Sequence, residues 1–548
     1  MSETAILATI GVAVGLPVGV AVGRVLLPIV AAMTAVNYRL VAPAAEWSVR
    51  PISLVLAGGL GFLCAFVSAA FPAARAARQA AIETIRGRGA EVALRRTRRF
   101  WATRLAVVIA IAVTVVLQSE LGNPAYGMAA TALLVVAAGL AARPLVQLAS
   151  RWLLPSFGDS TGPVVRFAAA TVASATRRTT FMAAALGIGL GSALWLTTVA
   201  LSFERSLVDA LSHVITADLI VGSANIVGGR EPVPIDEAIL PQLREITGVE
   251  AVASWRIRDW EYGGGPVAID AFDPEYFRRA DFGQWTLVGR HESDAWEQVA
   301  RGSSAVVSTS FAANLGVRVG DLLSIEAPTG PLELRVVGIT VAFTSPRGTL
   351  FVSRDVYRRA WNDSQITQAL VKLAPGTSRA AARAGVERAL WKQYRLEILS
   401  AADLLRFWIE QVRRGFSATP ILAGLVLLVV LIGLTDALVA SVAERTREIG
   451  ALRALGLGRR QVTEMIVVEA LLTGIVGLIL AAGLGLALGI LWVDGTFPLL
   501  LGWALQFHFP TWQLVAVAAL TAALSVMAAL VPAFRAGGIA PAEALRYE

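Results

Sequence analysis

One cysteine, two lysines and three histidines among 548 residues leave little room for several kinds of chemistry. Cys64 stands alone, so an intrachain disulfide and a metal site built on cysteine are both excluded. His213, His291 and His508 are far apart in sequence and read as isolated surface residues. A Walker A phosphate loop needs Gly-Lys followed by Ser or Thr. Lys372 (Val-Lys-Leu) and Lys392 (Trp-Lys-Gln) have no such setting. If ATP is used, another chain binds it. No catalytic or metal-ligating constellation stands out. Charged residues are scarce too, at 16% against roughly 25% in soluble domains. With 56% hydrophobic residues, a chain of this length is no single soluble core. The fold class expected is an α-helical integral membrane protein.

Crossing about 30 Å of hydrocarbon takes about 20 apolar residues. Eight stretches stand out, near Ala5–Val30, Ile52–Phe71, Leu105–Leu117, Tyr126–Ala142, Phe181–Phe203, Ile421–Val442, Met465–Val493 and Trp512–Val531. The third and fourth are short and read as a hairpin around Gln118-Ser-Glu-Leu-Gly-Asn-Pro-Ala125. The formal charge of +8 is unevenly spread. Glu204–Arg414 holds 26 acids and 24 bases, so the remainder holds 40 − 26 = 14 acids and 48 − 24 = 24 bases. Basic short loops mark the cytoplasmic side. Arginines between Arg75 and Arg104, at Arg166, Arg177 and Arg178, and at Arg445, Arg447, Arg453, Arg459 and Arg460 then share one side. This predicts a multi-pass plasma-membrane protein with both termini cytoplasmic and residues 204–417 outside. The run Arg95-Arg-Thr-Arg-Arg99 abuts a span and reads as a topology anchor; no nucleic-acid partner is expected.

Segment 204–417 reads as one mixed α/β extracytoplasmic domain, long enough for one or two subdomains. Strands are expected at Ala217–Val221, Gly248–Ala253, Ser304–Ser308, Leu322–Ile325 and Leu332–Val337, and helices at Asp236–Ile246 and Arg379–Gln393.

Self-comparison exposes a duplication. Gly11, Gly15, Gly19 and Gly23 recur every fourth residue in the first span, and Gly477, Gly485 and Gly489 of the seventh fall in register with them. The offset is constant: 477 − 11 = 485 − 19 = 489 − 23 = 466, and Glu469 lies opposite Glu3. Glycines four apart let helices approach closely in lipid, where small residues drive packing. Pro72–Arg86 and Pro532–Arg546 agree as well, at 532 − 72 = 546 − 86 = 460. Residues 1–88 therefore repeat the last two spans of the C-terminal unit, without counterparts of the fifth and sixth spans or the domain between them.

Between the sixth and seventh spans, Ser441–Val462 contains Glu-Arg-Thr-Arg-Glu-Ile-Gly-Ala-Leu-Arg-Ala-Leu-Gly. Ile449, Leu452 and Leu455 recur at three-residue steps as an apolar ridge, flanked by charge and stopped by Gly456 and Gly458. A short amphipathic helix at the membrane face can dock into a groove on a soluble partner or lie on lipid. This loop, with the closing Pro-Ala-Phe-Arg and Pro-Ala-Glu-Ala-Leu-Arg, resembles the FtsX-like permease family, the MacB/LolCDE type of ABC transporter. Ala-Asp-Leu-Ile-Val and Leu-Gly-Val-Arg-Val-Gly-Asp-Leu-Leu-Ser-Ile resemble that family's MacB-like periplasmic core domain.

The resemblance implies five parts: the last two helices of a first unit (1–88), a linker with a membrane hairpin (89–160), the first helix of a second unit (161–203), the external domain (204–417), and three closing helices (418–548) with a coupling loop at 442–463. It implies a non-catalytic permease subunit and assigns coupling to a separate ATPase to Glu444, Arg445, Arg447, Glu448, Ile449, Leu452, Arg453, Leu455 and Gly456. ATP and Mg²⁺ would bind that partner and no cofactor this chain. Mechanotransmission would move the external domain to export or extract a hydrophobic or lipid-linked substrate, with an external accessory protein as a further partner. A signalling scaffold that activates a cell-wall hydrolase is the alternative, and an inert fragment a third. Two intramembrane acids, Asp436 and Glu469, read as structural partners of nearby arginines in preference to a proton relay. The absent front half-unit, and a start at Met1-Ser-Glu-Thr without a basic leader, point to truncation or a split gene. A second permease chain would then supply the rest.

Overall fold

Helices that are apolar on every face suit a solvent offering backbone N–H and C=O groups no partner, because a helix satisfies them internally. In the computed structural model, residues 2–37, 50–77, 90–156, 168, 170, 176–223, 233–390, 394–416, 418–501 and 503–538 are described. Among them, seven helices are long and apolar enough to cross a membrane; the second expected span contributes the shorter apolar run Pro51–Leu63. The chain forms two units, the first being Met1–Ala106 with two short segments and the second nearly all the rest. Most of the arginines used above to orient the chain, and the tail beyond Gly538, lie outside the described side chains.

In the first unit, α1 (Ser2–Asn37) packs on α2 (Pro51–Ala77). Gly58 and Gly61 of α2 face Val12 and Leu16, at 3.4–3.5 Å from where a Cβ would stand. The second unit begins within α3 (Ala90–Leu121), which turns into α4 (Pro124–Ser156) at Gly122 (φ +60°), where Asn123 Oδ1 accepts from Ala125 N at 2.9 Å. The hairpin is as expected, with helices longer than their apolar cores. Next comes α5 (Thr176–Val214), continuous over 39 residues.

The sheet domain follows α5. Its nine strands are β1 (Leu219–Ser223), β2 (Val249–Glu261), β3 (Pro266–Phe272), β4 (Ser304–Ser308), β5 (Leu322–Ala327), β6 (Gly330–Thr340), β7 (Thr349–Ser353), β8 (Gln368–Leu373) and β9 (Leu396–Leu399), ordered β5-β6-β4-β7-β3-β2-β8-β1-β9. The β3–β7 and β4–β6 pairs are parallel and the others antiparallel. One continuous sheet thus unites the domain. Helices α6 (Ile239–Arg244), α7 (Pro274–Arg278), α8 (Ala295–Arg301), α9 (Thr309–Leu315), α10 (Arg354–Trp361) and α11 (Arg379–Leu390) cover it. Stacked aromatics fill one core, with Phe272 between Trp255 (4.8 Å) and Tyr276 (4.2 Å). The helix expected from Asp236 begins only at Ile239, because Asp236 Oδ1 accepts from Ala238 N at 2.9 Å in a turn.

The chain returns through α12 (Ala401–Gly415) to α13 (Ala418–Glu444), then α14 (Thr446–Ala454) and α15 (Arg459–Ile490). A π turn at Leu491–Thr496, α16 (Phe497–Leu501) and α17 (Thr511–Gly538) follow. Beside α15 pack α4, α5 and α17.

Candidate coupling site

The Ser441–Val462 loop folds as the short helix α14, set off from α13 by Arg445 and from α15 by Leu455–Gly458. Gly456 takes φ +107°, a left-handed conformation that side chains avoid, so the helix stops where a glycine permits the turn. Gly458 N then donates to Gln461 Oε1 at 2.9 Å, and α15 begins.

The expected apolar ridge is divided. Ile449 is 2% exposed and lies in the bundle core with Leu438, Val442 and Ile466, while Leu455 is 83% exposed. Leu452 is half-buried. A helix turns about 100° per residue, so steps of three drift back roughly 60° each. Over two steps that drift carries Leu455 about 120° away from Ile449. The outward line is instead Glu448, Ala451 and Leu455, continued by exposed Arg459 and Arg460. Ile449 is therefore an anchor and not part of the presented face. The side chains of Glu444 and Arg447 lie outside the described residues.

Arg445 and Arg453 are both half-buried. The Arg445 guanidinium contacts Glu448 Oε2, at 2.8 Å, and Glu469 Oε2 of α15, at 3.6 Å. Leu438, Val442, Ile449, Met465 and Ile466 wall the Arg445–Glu469 pair. Asp436 is exposed on α13 and does not line this pocket.

Above this pair runs the seam between α5 and α15. A Cβ on Gly477 would stand 2.7 Å from Leu186 Cβ, on Gly485 2.8 Å from Leu194 Cβ, and on Gly489 2.9 Å from Thr198 Cγ2. The α5 side answers in kind, since a Cβ on Gly187 or Gly191 would stand 2.5 Å from Leu480 Cδ2 or 3.1 Å from Leu484 Cβ. Gly189, on the opposite side of α5, admits Val430 of α13 at 2.7 Å. Sequence reasoning missed Gly187, Gly189 and Gly191, although their close spacing in an apolar helix was the available signal. In α1, by contrast, a Cβ at Gly11, Gly15 or Gly19 would meet no described residue within 4 Å.

At the far end of α15, Gln118 Nε2 donates to Thr496 Oγ1 (3.0 Å) and Trp492 Nε1 to Thr131 Oγ1 (2.8 Å), pinning the π turn to the α3–α4 hairpin. Beyond it, residues 503–510 run along α5, where Gln506 N donates to Ser206 Oγ (2.8 Å) and His508 N to Ser202 Oγ (3.0 Å). Phe343 of the sheet domain meets Trp503 and Phe203 there, at 5.4 and 6.2 Å between ring centroids. Tyr276 Oη donates to Val214 O, the last residue of α5, at 2.9 Å. None of these contacts was legible from the sequence, because each joins segments far apart in the chain. Among the described residues, no group of three or more His, Cys, Asp or Glu gathers in metal-binding proximity.

Residues 420–541 match a family model described as FtsX-like permease C-terminal, and residues 179–389 one described as MacB-like periplasmic core domain. An uncharacterized ABC transporter permease protein of Mycobacterium tuberculosis is 22% identical over 554 residues, covering 100% of this chain and 64% of its own length. The macrolide export ATP-binding/permease protein MacB of Shewanella sp. W3-18-1 is 24% identical, covering 70% of this chain and 61% of its own. The lipoprotein-releasing system transmembrane protein LolC of Neisseria meningitidis is 27% identical, covering 44% and 65%. The chain thus spans a little under two thirds of each relative.

Proposed function

We propose that this chain, an ABC transporter permease of the MacB/LolC type, couples a separate ATPase at α14 to motion of its sheet domain. The observation that carries this reading is the unbroken helix α5. At about 1.5 Å per residue, its 39 residues make a rod some 58 Å long. One part of the rod is locked to α15 through reciprocal glycine contacts, and its last residue is held by Tyr276 of the sheet domain. A displacement of α15 therefore passes to the sheet domain without a flexible joint in α5.

The presented line of Glu448, Ala451 and Leu455, with Arg459 and Arg460 beside it, supplies an apolar contact in a charged frame for a groove on the ATPase. In this reading the basic loops and both termini are cytoplasmic and the sheet domain is outside. The relatives named for macrolide export and lipoprotein release support export or extraction of a hydrophobic or lipid-linked cargo. The test is capture of an ABC ATPase by the purified full chain. Leu455 is 83% exposed, so Leu455→Asp should leave the fold intact and reduce capture by roughly tenfold or more, the loss of a well-placed apolar contact. Equal capture by the variant overturns the placement of the interface, and no capture by the wild type overturns the coupling reading.

A further inference from the structure

We infer that Arg445 and Glu469 form a latch that carries load from α14 into α15, an inference that rests on the coupling reading above. Arg445 is the single residue between α13 and α14, at φ −108° and ψ 16°, so its backbone marks the joint about which α14 can swing. Its guanidinium reaches across that joint to Glu469, in the eleventh position of α15 and about 15 Å along that helix. Besides this link, α14 is joined to α15 by the turn Leu455–Gly458, which contains two glycines, and by Ile449, which shares a buried cluster with Ile466. The turn bends easily under load, and the apolar contact of Ile449 has no fixed direction of bonding. The ion pair closes a triangle of α14, its turn and the first part of α15, and a closed triangle cannot fold at one corner.

The chemistry of the pair supports a firm connection. Glu469 has only 6% of its side chain exposed, and Arg445 has 23%. Five apolar side chains line the same pocket as the pair, so the charges attract each other across a medium less polar than bulk water. The contact to Glu448, whose side chain is 67% exposed, is of the weak surface kind. It helps to orient the guanidinium on α14, while the contact to Glu469 bears the load. Glu469 also stands on the stretch of α15 between the coupling helix and Gly477, where the seam with α5 begins. Load received at Glu469 therefore enters the helix that grips the rod. Arg445 and Glu469 are positioning residues: they act through α14 and α15, and Arg445 need not touch the ATPase.

Amide hydrogen exchange on the full chain in lipid nanodiscs tests this. Glu469→Gln and Arg445→Gln should each speed exchange of residues 446–455 by roughly tenfold or more, by loosening a local unit, while residues 473–489 keep wild-type protection. Glu469→Asp, the milder change, should fall between, and the charge swap Arg445→Glu with Glu469→Arg should restore protection of 446–455. Unchanged exchange in that segment overturns the latch, and so does an equal rise through all of α15, the mark of a merely structural pair. A second readout uses the ATPase captured by the wild-type chain. Its binding should alter exchange at both 446–455 and 473–489 in the wild type, but only at 446–455 in Glu469→Gln. A response at 473–489 that persists in the variant overturns the latch. If the wild type captures no ATPase, the coupling reading falls by itself, and the latch is decided by exchange in the chain alone.

Discussion

Helices α1 and α15 carry the same glycine spacing and have opposite surroundings. In α15, Gly477, Gly485 and Gly489 each admit a side chain of α5 to within 2.7–2.9 Å of where a Cβ would be. In α1, Gly11, Gly15 and Gly19 meet no described residue within 4 Å, and α2 packs instead on Val12 and Leu16. The spacing is therefore a capacity for close approach, and a matching helix is needed to use it. In α5 the match is specific, because Gly187 and Gly191 open hollows for Leu480 and Leu484 as α15 opens hollows for Leu186 and Leu194.

Three substitutions, from strongest to weakest, probe this contrast. The strongest lies away from both helices and fixes the scale. Asp363 accepts from Arg256 Nη2 (3.0 Å), Tyr357 Oη (2.7 Å) and Gln365 N (2.9 Å). Asp363→Asn should destabilise the sheet domain by about 3–5 kcal/mol, the cost of breaking a buried pair, and leave exchange protection at the α5–α15 seam unchanged. Loss of seam protection in that variant would mean that the two parts unfold as one, and the seam could not be weighed separately. The pH profile adds a sign. Burial pushes the Asp363 carboxyl up, but hydrogen bonds from Tyr357 and the Gln365 N–H, together with Arg256, outweigh it and hold its pKa below the usual range. The stabilisation is thus present above an unfolded pKa of about 3.9 and fades as pH falls through the lower folded value. The wild-type minus Asp363→Asn stability difference, measured by denaturant melts, should shrink below about pH 4.

Next comes Gly485→Leu, which drives a side chain into Leu194 and the Gly191 carbonyl, 3.2 Å from the Cβ position. It should lower bundle stability by about 1–3 kcal/mol, read as the unfolding midpoint in detergent. The smallest effect is expected from Gly15→Leu, within about 0.5 kcal/mol, as for substitutions that touch nothing. A large loss in Gly15→Leu would show that the α1 face is covered in the intact protein, and the contrast between the two helices would disappear.

Much of the architecture could be read from sequence because its signals are local. Strand β4 falls where expected, at Ser304–Ser308, and the α3–α4 turn falls at Gly122-Asn-Pro. Strands β3, β7, β8 and β9 were not anticipated; β7, for one, is buried at every residue of Thr349–Ser353 and shows no alternation of polar and apolar positions. The short helix between the sixth and seventh expected spans lies where residue spacing placed it, with its glycine stop at Gly456. Which side of that helix faces outward was not legible in that spacing, because a three-residue step only approximates the helical repeat.

The sequence by itself determined the order of the apolar helices, the repeated glycine pattern and the place of the short helix α14. These rest on residue type and spacing, which act over a few turns of chain. Tertiary structure decided which glycines are filled, that Ile449 anchors while Leu455 is presented, and that Arg445 reaches Glu469, 24 residues on in sequence, instead of lying open on the loop. Those outcomes depend on which helix lies against which, and close packing in the bundle assigns each face a neighbour that spacing alone cannot name.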